Sequence, residues 1–414
     1  MPVYLDHNAT SPATKQHIQE ITEEYILNAG NPSSPHSIGR NASVAVTKAR
    51  HSVATALGCD VSEVIFVSGG SEANNMATVG VINQTELPLE KMHCITSSIE
   101  HPSIKEPLNY LSKKGLNLTT LKCSESGHIS IEDIVKSIRP ETKLVTFMVA
   151  NNEIGSIQPV KQFADWLNAK RWNKSYEKQL EDNTEWQKLE DLLSNKVTVE
   201  NLQSLHFHVD AVQALGKIQN EKWQSPGIDS FTVTGHKLGG IPGIGALYLS
   251  RGRKFIPTVI GGPQERNRRA GTENLLGIIS MGKVCEKVSQ SNWWEQIRNT
   301  RQLNQKLHDE VSKLPGLTLN SSSQEDTSLP NTLNFSIQNE KIQGEDVLME
   351  LDMAGICVSS GSACSSGANL PSGVILALGR SEKEALNSIR ISLGTANTES
   401  ELEELLSTLK SIFI

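Results

Sequence analysis

Four short runs rich in β-branched and aromatic residues set the strongest limit on the fold: Val64-Ile-Phe-Val-Ser68, Leu144-Val-Thr-Phe-Met-Val149, Leu205-His-Phe-His-Val209 and Ser230-Phe-Thr-Val-Thr234. Helical patterns lie between them, and strands alternating with helices predict an α/β chain with a mostly parallel sheet covered on both faces. Such sheets bind ligands beyond the carboxyl ends of their strands, so the polar residues that follow each run become the candidates for function. After about Phe255 the pattern turns to helices interrupted by a few strands, among them Thr332-Leu-Asn-Phe-Ser336, which predicts a smaller second domain. The length of 414 residues agrees with more than one domain, at about 100–200 residues each.

Other classes fall away on composition. The formal charge of −7 lacks the basic footprint of a nucleic-acid binder. No apolar run reaches the roughly 20 residues that span a bilayer, and Met-Pro-Val-Tyr-Leu-Asp lacks the order of a signal peptide, so a cytoplasmic protein without a membrane partner is expected. The six cysteines contain no Cys-x-x-Cys pair, which argues against a zinc ribbon, a thioredoxin motif or a disulfide framework. Residues 169–204 are rich in Lys, Glu, Asn and Gln, with Trp186, Leu189 and Leu193 at helical spacing, and are expected to form an inserted amphipathic helical excursion.

Three clusters carry chemistry. Ser68-Gly-Gly-Ser-Glu-Ala-Asn-Asn75 follows a strand and opens a helix, so Gly70, the Ser71 hydroxyl and the first helical amides suit a phosphate; a plain strand-to-helix turn would look the same. Val233-Thr-Gly-His-Lys-Leu-Gly-Gly240 sets Lys237 directly after a strand in glycine-rich, apolar surroundings, where partial desolvation makes an amine nucleophilic toward a carbonyl; a solvated loop lysine is the alternative. His208-Val-Asp-Ala-Val-Gln213 ends another strand. Asp210 there suits the pyridinium nitrogen of pyridoxal phosphate, whose protonation makes the ring an electron sink, or else a helix N-cap. Gln213, on the same face if a helix begins there, suits the ring's phenolic oxygen.

Taken together, the clusters resemble the class V aminotransferases and, within them, the cysteine desulfurases of the nitrogenase and iron–sulfur-assembly type. The resemblance runs nearly end to end: Tyr4-Leu-Asp-His-Asn-Ala-Thr10, Gly30-Asn-Pro-Ser-Ser34 with His36, Ser68 to Asn75, Glu100-His101-Pro102, Asn151-Asn-Glu-Ile-Gly155, His208 to Gln213, Thr234-Gly-His-Lys237, Arg269-Ala-Gly-Thr-Glu-Asn274, Val358-Ser-Ser-Gly-Ser-Ala-Cys-Ser-Ser366 and Ile389-Arg-Ile-Ser-Leu-Gly394. It implies the fold type I architecture of pyridoxal-phosphate transferases. The large domain would span residues 14–255, with a mostly parallel seven-stranded sheet between helices and the insertion at about 169–204. A smaller α+β domain would comprise 1–13 and 256–414 and carry a catalytic cysteine loop.

The same resemblance implies roles. His101 stacks on the cofactor ring and shuttles protons, and Asn152 contacts its phenolic oxygen and lies near the substrate carboxylate. Thr234 and His236 join Gly70 and Ser71 around the phosphate, and Thr272 completes that cup from the neighbouring subunit of a homodimer. Arg390 clamps the substrate carboxylate, which a bidentate guanidinium suits. Lys237 removes the α-proton of L-cysteine, and Cys364, in a run of Ser, Gly and Ala expected to be mobile and accessible, takes the sulfur as a persulfide. The acceptor would be an iron–sulfur scaffold, whose cluster the persulfide contacts transiently, a tRNA-thiolation protein or another partner; no resident metal is implied. A selenocysteine lyase, an ordinary aminotransferase and a non-catalytic partner-binding homologue are the competing readings. Two departures stand out: Ser71 replaces a frequent threonine, and residues 169–204 lengthen a connection that is usually much shorter, as a surface hairpin or a partner-docking element.

Overall fold

The computed structural model describes residues 2–172, 183–339, 341–360 and 370–414. Strand β1 (Val3–Tyr4) precedes the seven strands of the main sheet: β2 (Val64–Val67), β3 (His93–Ser97), β4 (Asn117–Leu121), β5 (Thr142–Met148), β6 (His206–Asp210), β7 (Ser230–Thr234) and β8 (Gly245–Leu249). Their order is β2-β8-β7-β6-β5-β3-β4, parallel throughout except for β8, which runs antiparallel to both neighbours. The expected mostly parallel seven-stranded sheet is therefore present. Buried residues such as Val145, Phe147, Phe207, Val209 and Val233 belong to its core, as a sheet covered on both faces requires.

A second sheet is antiparallel, in the order β12 (Ser359–Ser360), β13 (Ser388–Ser392), β10 (Thr332–Ile337) and β9 (Leu317–Leu319). β1 pairs in parallel with β11 (Ile356–Cys357). Val3 and Leu5 accordingly pack with Phe335, Ile389 and Phe413 in a separate apolar core, although some 330 residues of chain intervene.

Two long helices cover one face. Ser37–Leu57 buries Ala42, Ala45, Ala49 and Val53 at helical spacing, and ends on Gly58, whose φ of 63° is the left-handed conformation a C-cap requires. Helix Leu275–Val288 packs on it so closely that a Cβ at Gly282 would stand 2.8 Å from Ala49. At the sheet edge, Arg50 donates to the β2 carbonyl of Val64 at 2.9 Å, and Glu265 accepts from the Phe66 amide at 3.0 Å. The two side chains pair with each other through two bonds of 2.7 Å. A buried ion pair thus satisfies backbone groups that an edge strand leaves open.

In the insertion, the helices Thr184–Leu192 and Val199–Ser204 flank Ser194 to Val197. Leu189 is buried, and Trp186 and Leu193 pack partly against the main core, so the expected helical spacing is real where described. Residues 173–182 lie outside the described residues. Arg171 ties the far end of the insertion back, donating to the Leu202 and Leu205 carbonyls and pairing with Asp229. No helix among the described residues is long and apolar enough to cross a membrane.

Candidate active site

The carboxyl ends of β2, β3, β5, β6 and β7 open onto one cavity of about 390 Å³, within the size range of small-molecule sites. The turns after these strands deliver its lining: Gly70 and Ser71 after β2, His101 after β3, Asn152 after β5, Asp210 and Gln213 at and after β6, and Thr234, His236 and Lys237 at and after β7. Arg390 arrives from β13 of the second sheet. Each sequence-predicted site residue except Thr272 and Cys364 is therefore brought together. Thr272 lines a separate groove with Ser68, Gly243 and Arg269 on its own chain. Cys364 lies outside the described residues.

Lys237 ends a short 3-10 turn, Gly235–Lys237. Its Nζ donates to the carbonyls of Asn8 at 2.7 Å and Ala9 at 2.6 Å, so the N-terminal motif folds across the sheet's end to meet it. Asp210 closes β6 and is buried; its Oδ2 accepts from Asn74 Nδ2 at 2.8 Å and its Oδ1 from the Val212 amide at 3.0 Å. Asn74 follows Gly70 by four residues on the same face of helix Gly70–Ile82, and also donates to Ser103 Oγ at 2.8 Å. Ser103 in turn lies 2.7 Å from His101 Nδ1, which accepts from the Ser103 amide as well. With Nδ1 an acceptor, the neutral ring carries its proton on Nε2. Burial pushes the His101 pKa down, the Asp210 charge opposes and the Lys237 charge adds to the fall.

Helix Gly70–Ile82 has no side-chain cap, so its first amides remain available to an anion at the cavity. Gly70 is tight: a Cβ there would stand 3.1 Å from Val212. Two expected phosphate contacts are otherwise engaged. The single O–H of Thr234 donates to the Ile244 carbonyl at 2.9 Å. His236 Nδ1 lies 3.1 Å from Thr10 Oγ1, and since that hydroxyl donates to the Ala9 carbonyl at 2.7 Å, the ring must be the donor to it. Burial, aided by the Lys237 charge, lowers His236 to about 4.

Arg390 is almost fully buried. It pairs with Asp6 at 2.6 Å, donates to the Asn152 carbonyl at 3.2 Å, and leaves its Nε without a partner among the described residues. The neighbouring Asn151 is structural: its side chain donates to the Ile99 carbonyl and accepts from the Glu153 and Ile154 amides, which turns Asn152 to the cavity. Beside them, Glu100 is wholly buried and accepts from Ser97 and from the Met148 amide; burial pushes its pKa up to about 8, with the Asp210 charge adding.

Asn8, Asn74, Ser103 and Glu100 are parts of the site for which sequence reasoning gave no role, although Asn8, Asn74 and Glu100 sit inside motifs it singled out. For Asn74 a signal existed, the four-residue spacing from Gly70. The described cysteines are poor nucleophiles where they are buried: Cys94 and Cys285 have no solvent access, and burial raises Cys285 to about 12.

The class-V aminotransferase family model matches residues 3–172 and 188–405, passing over 173–187 in the first half of the insertion. A cysteine desulfurase, IscS, of Clostridium botulinum is 35% identical over 411 residues, covering 99% of this chain and 94% of its own. A putative cysteine desulfurase, IscS 1, of Bacillus subtilis is 34% identical over 97% of this chain and 96% of its own. Among solved structures, a NifS-like protein superposes with a TM-score of 0.82 at 30% identity, covering 100% of this chain and 99% of that one. The structure titled SspA in complex with cysteine does so at 0.73 and 29%, over 96% and 100% of the two chains.

Proposed function

The chain belongs to the class-V aminotransferases, among the cysteine desulfurases, and from that membership we propose that the Lys237 cavity holds pyridoxal phosphate and converts L-cysteine to L-alanine, leaving sulfur on Cys364 as a persulfide. The observation that carries the reading is the convergence of Lys237, Asp210 and an uncapped helix N-terminus on one cavity. The donor set fits the group. Buried Asp210 offers a carboxylate to a pyridinium nitrogen, the amides at Gly70 and Ser71 offer donors to a phosphate, and Arg390 holds for a carboxylate a buried Nε that has no partner among the described residues. What such a cofactor supplies when bound is an electron sink for a substrate carbon that has lost a proton.

The chain's own residues do the rest. Arg390 holds the substrate carboxylate, exchanging part of its pairing with Asp6 for a second anion. Lys237 Nζ takes the proton from the α-carbon, and His101, with its proton on Nε2, is placed to exchange protons at the cavity's face. Cys364 Sγ, as thiolate, attacks the substrate sulfur; an S–S bond forms, the C–S bond breaks with its electron pair left on carbon, and a proton added there gives alanine. Atoms and electrons balance without an external oxidant or reductant.

The reading extends to a cytoplasmic homodimer in which Thr272 of the partner subunit completes the phosphate contacts, since on its own chain Thr272 lies off the cavity. The sulfur acceptor is then an iron–sulfur scaffold or a tRNA-thiolation protein. Loading the purified protein with pyridoxal phosphate tests the site. Wild type should develop the visible band of a lysine-bound cofactor, Lys237→Ala should lack it, and Cys364→Ala should keep it while losing alanine production. A Lys237→Ala protein that keeps the band refutes the assignment.

A further inference from the structure

Lys217 is buried behind the cavity, with no carboxylate partner among the described residues. Its Nζ donates to two amide oxygens, Gln213 Oε1 at 2.6 Å and Asn8 Oδ1 at 2.8 Å. Lysine carries only donors, whereas an amide side chain presents an acceptor at one corner and donors at the other. A donor-only head therefore dictates which way both amides face.

For Gln213, the oxygen is fixed on Lys217, so the NH2 group points away from it. One of its N–H bonds goes to the Asn8 carbonyl at 3.0 Å, and the other is left toward the cavity that Gln213 lines. For Asn8, Oδ1 is held by Lys217 and by Asn331 Nδ2 at 3.1 Å, so Nδ2 donates to Thr332 Oγ1 at 2.8 Å and to the Asn152 carbonyl at 3.2 Å. The same Asn8 carbonyl that receives Gln213 receives Lys237.

We propose that Lys217 is a positioning residue for the cofactor: by donating to Gln213 and Asn8 it turns an amide N–H of Gln213 onto the phenolic oxygen of pyridoxal phosphate. The inference rests on the cofactor reading above. It holds for either protonation state of Lys217. Burial, with the charges of Lys237 and Arg390 adding, pushes its pKa well down; a neutral amine can also accept, but Gln213 Nε2 and Asn8 Nδ2 are already turned to the carbonyls of Asn8 and Asn152, so its two N–H bonds still go to the two amide oxygens. An N–H on the phenolic oxygen favours its anionic form, so losing that donor should make the lysine-bound cofactor harder to deprotonate.

The test is a double-mutant cycle read by absorbance. The visible band of the loaded protein is titrated against pH in wild type, Lys217→Met, Gln213→Leu and the double variant. Lys217→Met should raise the midpoint by about one pH unit, Gln213→Leu should raise it similarly, and the double variant should shift no further than either single one. An unchanged midpoint in Lys217→Met, or additive shifts, overturns the proposal. Should Lys217→Met fail to fold, Lys217→Arg decides: its donor-only head must leave the midpoint at the wild-type value, and a shift matching Gln213→Leu overturns the proposal. A wild-type protein that binds the cofactor without any such band instead refutes the cofactor reading itself.

Discussion

Asn74 donates to the Asp210 carboxylate at 2.8 Å while its own carbonyl oxygen accepts from His208 Nε2 at 3.1 Å. His208 is fully buried, which lowers its pKa to about 3 and keeps the ring neutral; its Nδ1 faces Ser230 Oγ at 2.9 Å. A carboxylate only accepts, so Asn74 turns its NH2 toward Asp210 and its oxygen toward His208, and the ring's one proton sits on Nε2. A carboxylate needed at a defined place is thus oriented by a chain of buried polar groups. Asn74→Leu should weaken cofactor binding by about tenfold, measured by fluorescence titration. Asn74→Asp, which sets a second carboxylate against Asp210, should weaken it more.

Glu100 makes stability depend on pH. Folded, its carboxyl titrates at about 8; unfolded, near the ordinary 4.5. The stability it contributes is full below the unfolded value and is lost as pH rises from there to about 8. Glu100→Gln keeps the acceptor for Ser97 and Met148 without the ionisation. Its advantage over wild type in urea unfolding should therefore grow from about pH 5 to about pH 8, reaching about 4 kcal/mol. Parallel curves for the two proteins would contradict this.

Arg50 and Glu265 cap the β2 edge from inside. Arg50→Met leaves the Glu265 carboxylate and the Val64 carbonyl buried without their partner, and should cost about 3–5 kcal/mol. Replacing both by Met should cost less than the sum of the single changes, because no lone charge remains. Glu265, Arg266 and Asn267 all have positive φ, at 47°, 60° and 63°, so the single variants should also speed proteolysis at this turn.

His101 should stay neutral below the usual range. Its pKa is lowered from 6.5, first by burial, so an acid limb of kcat/KM that belongs to this ring should fall below pH 6.5. Ser103→Ala, which removes the hydroxyl beside Nδ1, should lower kcat by about tenfold in stopped assays of alanine formation. An acid limb above pH 6.5 would separate it from His101.

The sequence made the sheet legible where strands are continuous apolar runs. β7 falls where the Ser230–Thr234 run predicted it, and β10 starts at Thr332 as expected. Strands without that signature were not singled out. β3 contains His93, which is buried only because hydroxyls of Thr142 and Thr119 meet both ring nitrogens. β4 is a half-exposed edge, and β8 opens at Gly245, where a Cβ would stand 2.8 Å from the Val233 carbonyl.

The site was legible through position: Lys237 and Ser71 each follow a strand and Asp210 ends one, and that is where such sheets bind ligands. The link between Lys217 and Asn8 was not, because it joins residues 209 apart in the chain and nothing local to either points to the other. Thr234 was assigned to the phosphate by resemblance, whereas here its O–H is turned to Ile244, a choice only the packing of β7 and the following turn reveals.

Transfer of sulfur to Cys364 is the central claim, and peptide mass spectrometry reads it directly. The loaded protein is mixed with one equivalent of L-cysteine, blocked with a thiol alkylating agent and digested. The account predicts alanine formation matched by one added sulfur on the peptide that contains Cys364, and neither in Lys237→Ala. Alanine formed with Cys364 unmodified, or sulfur found on another cysteine in its place, would contradict it.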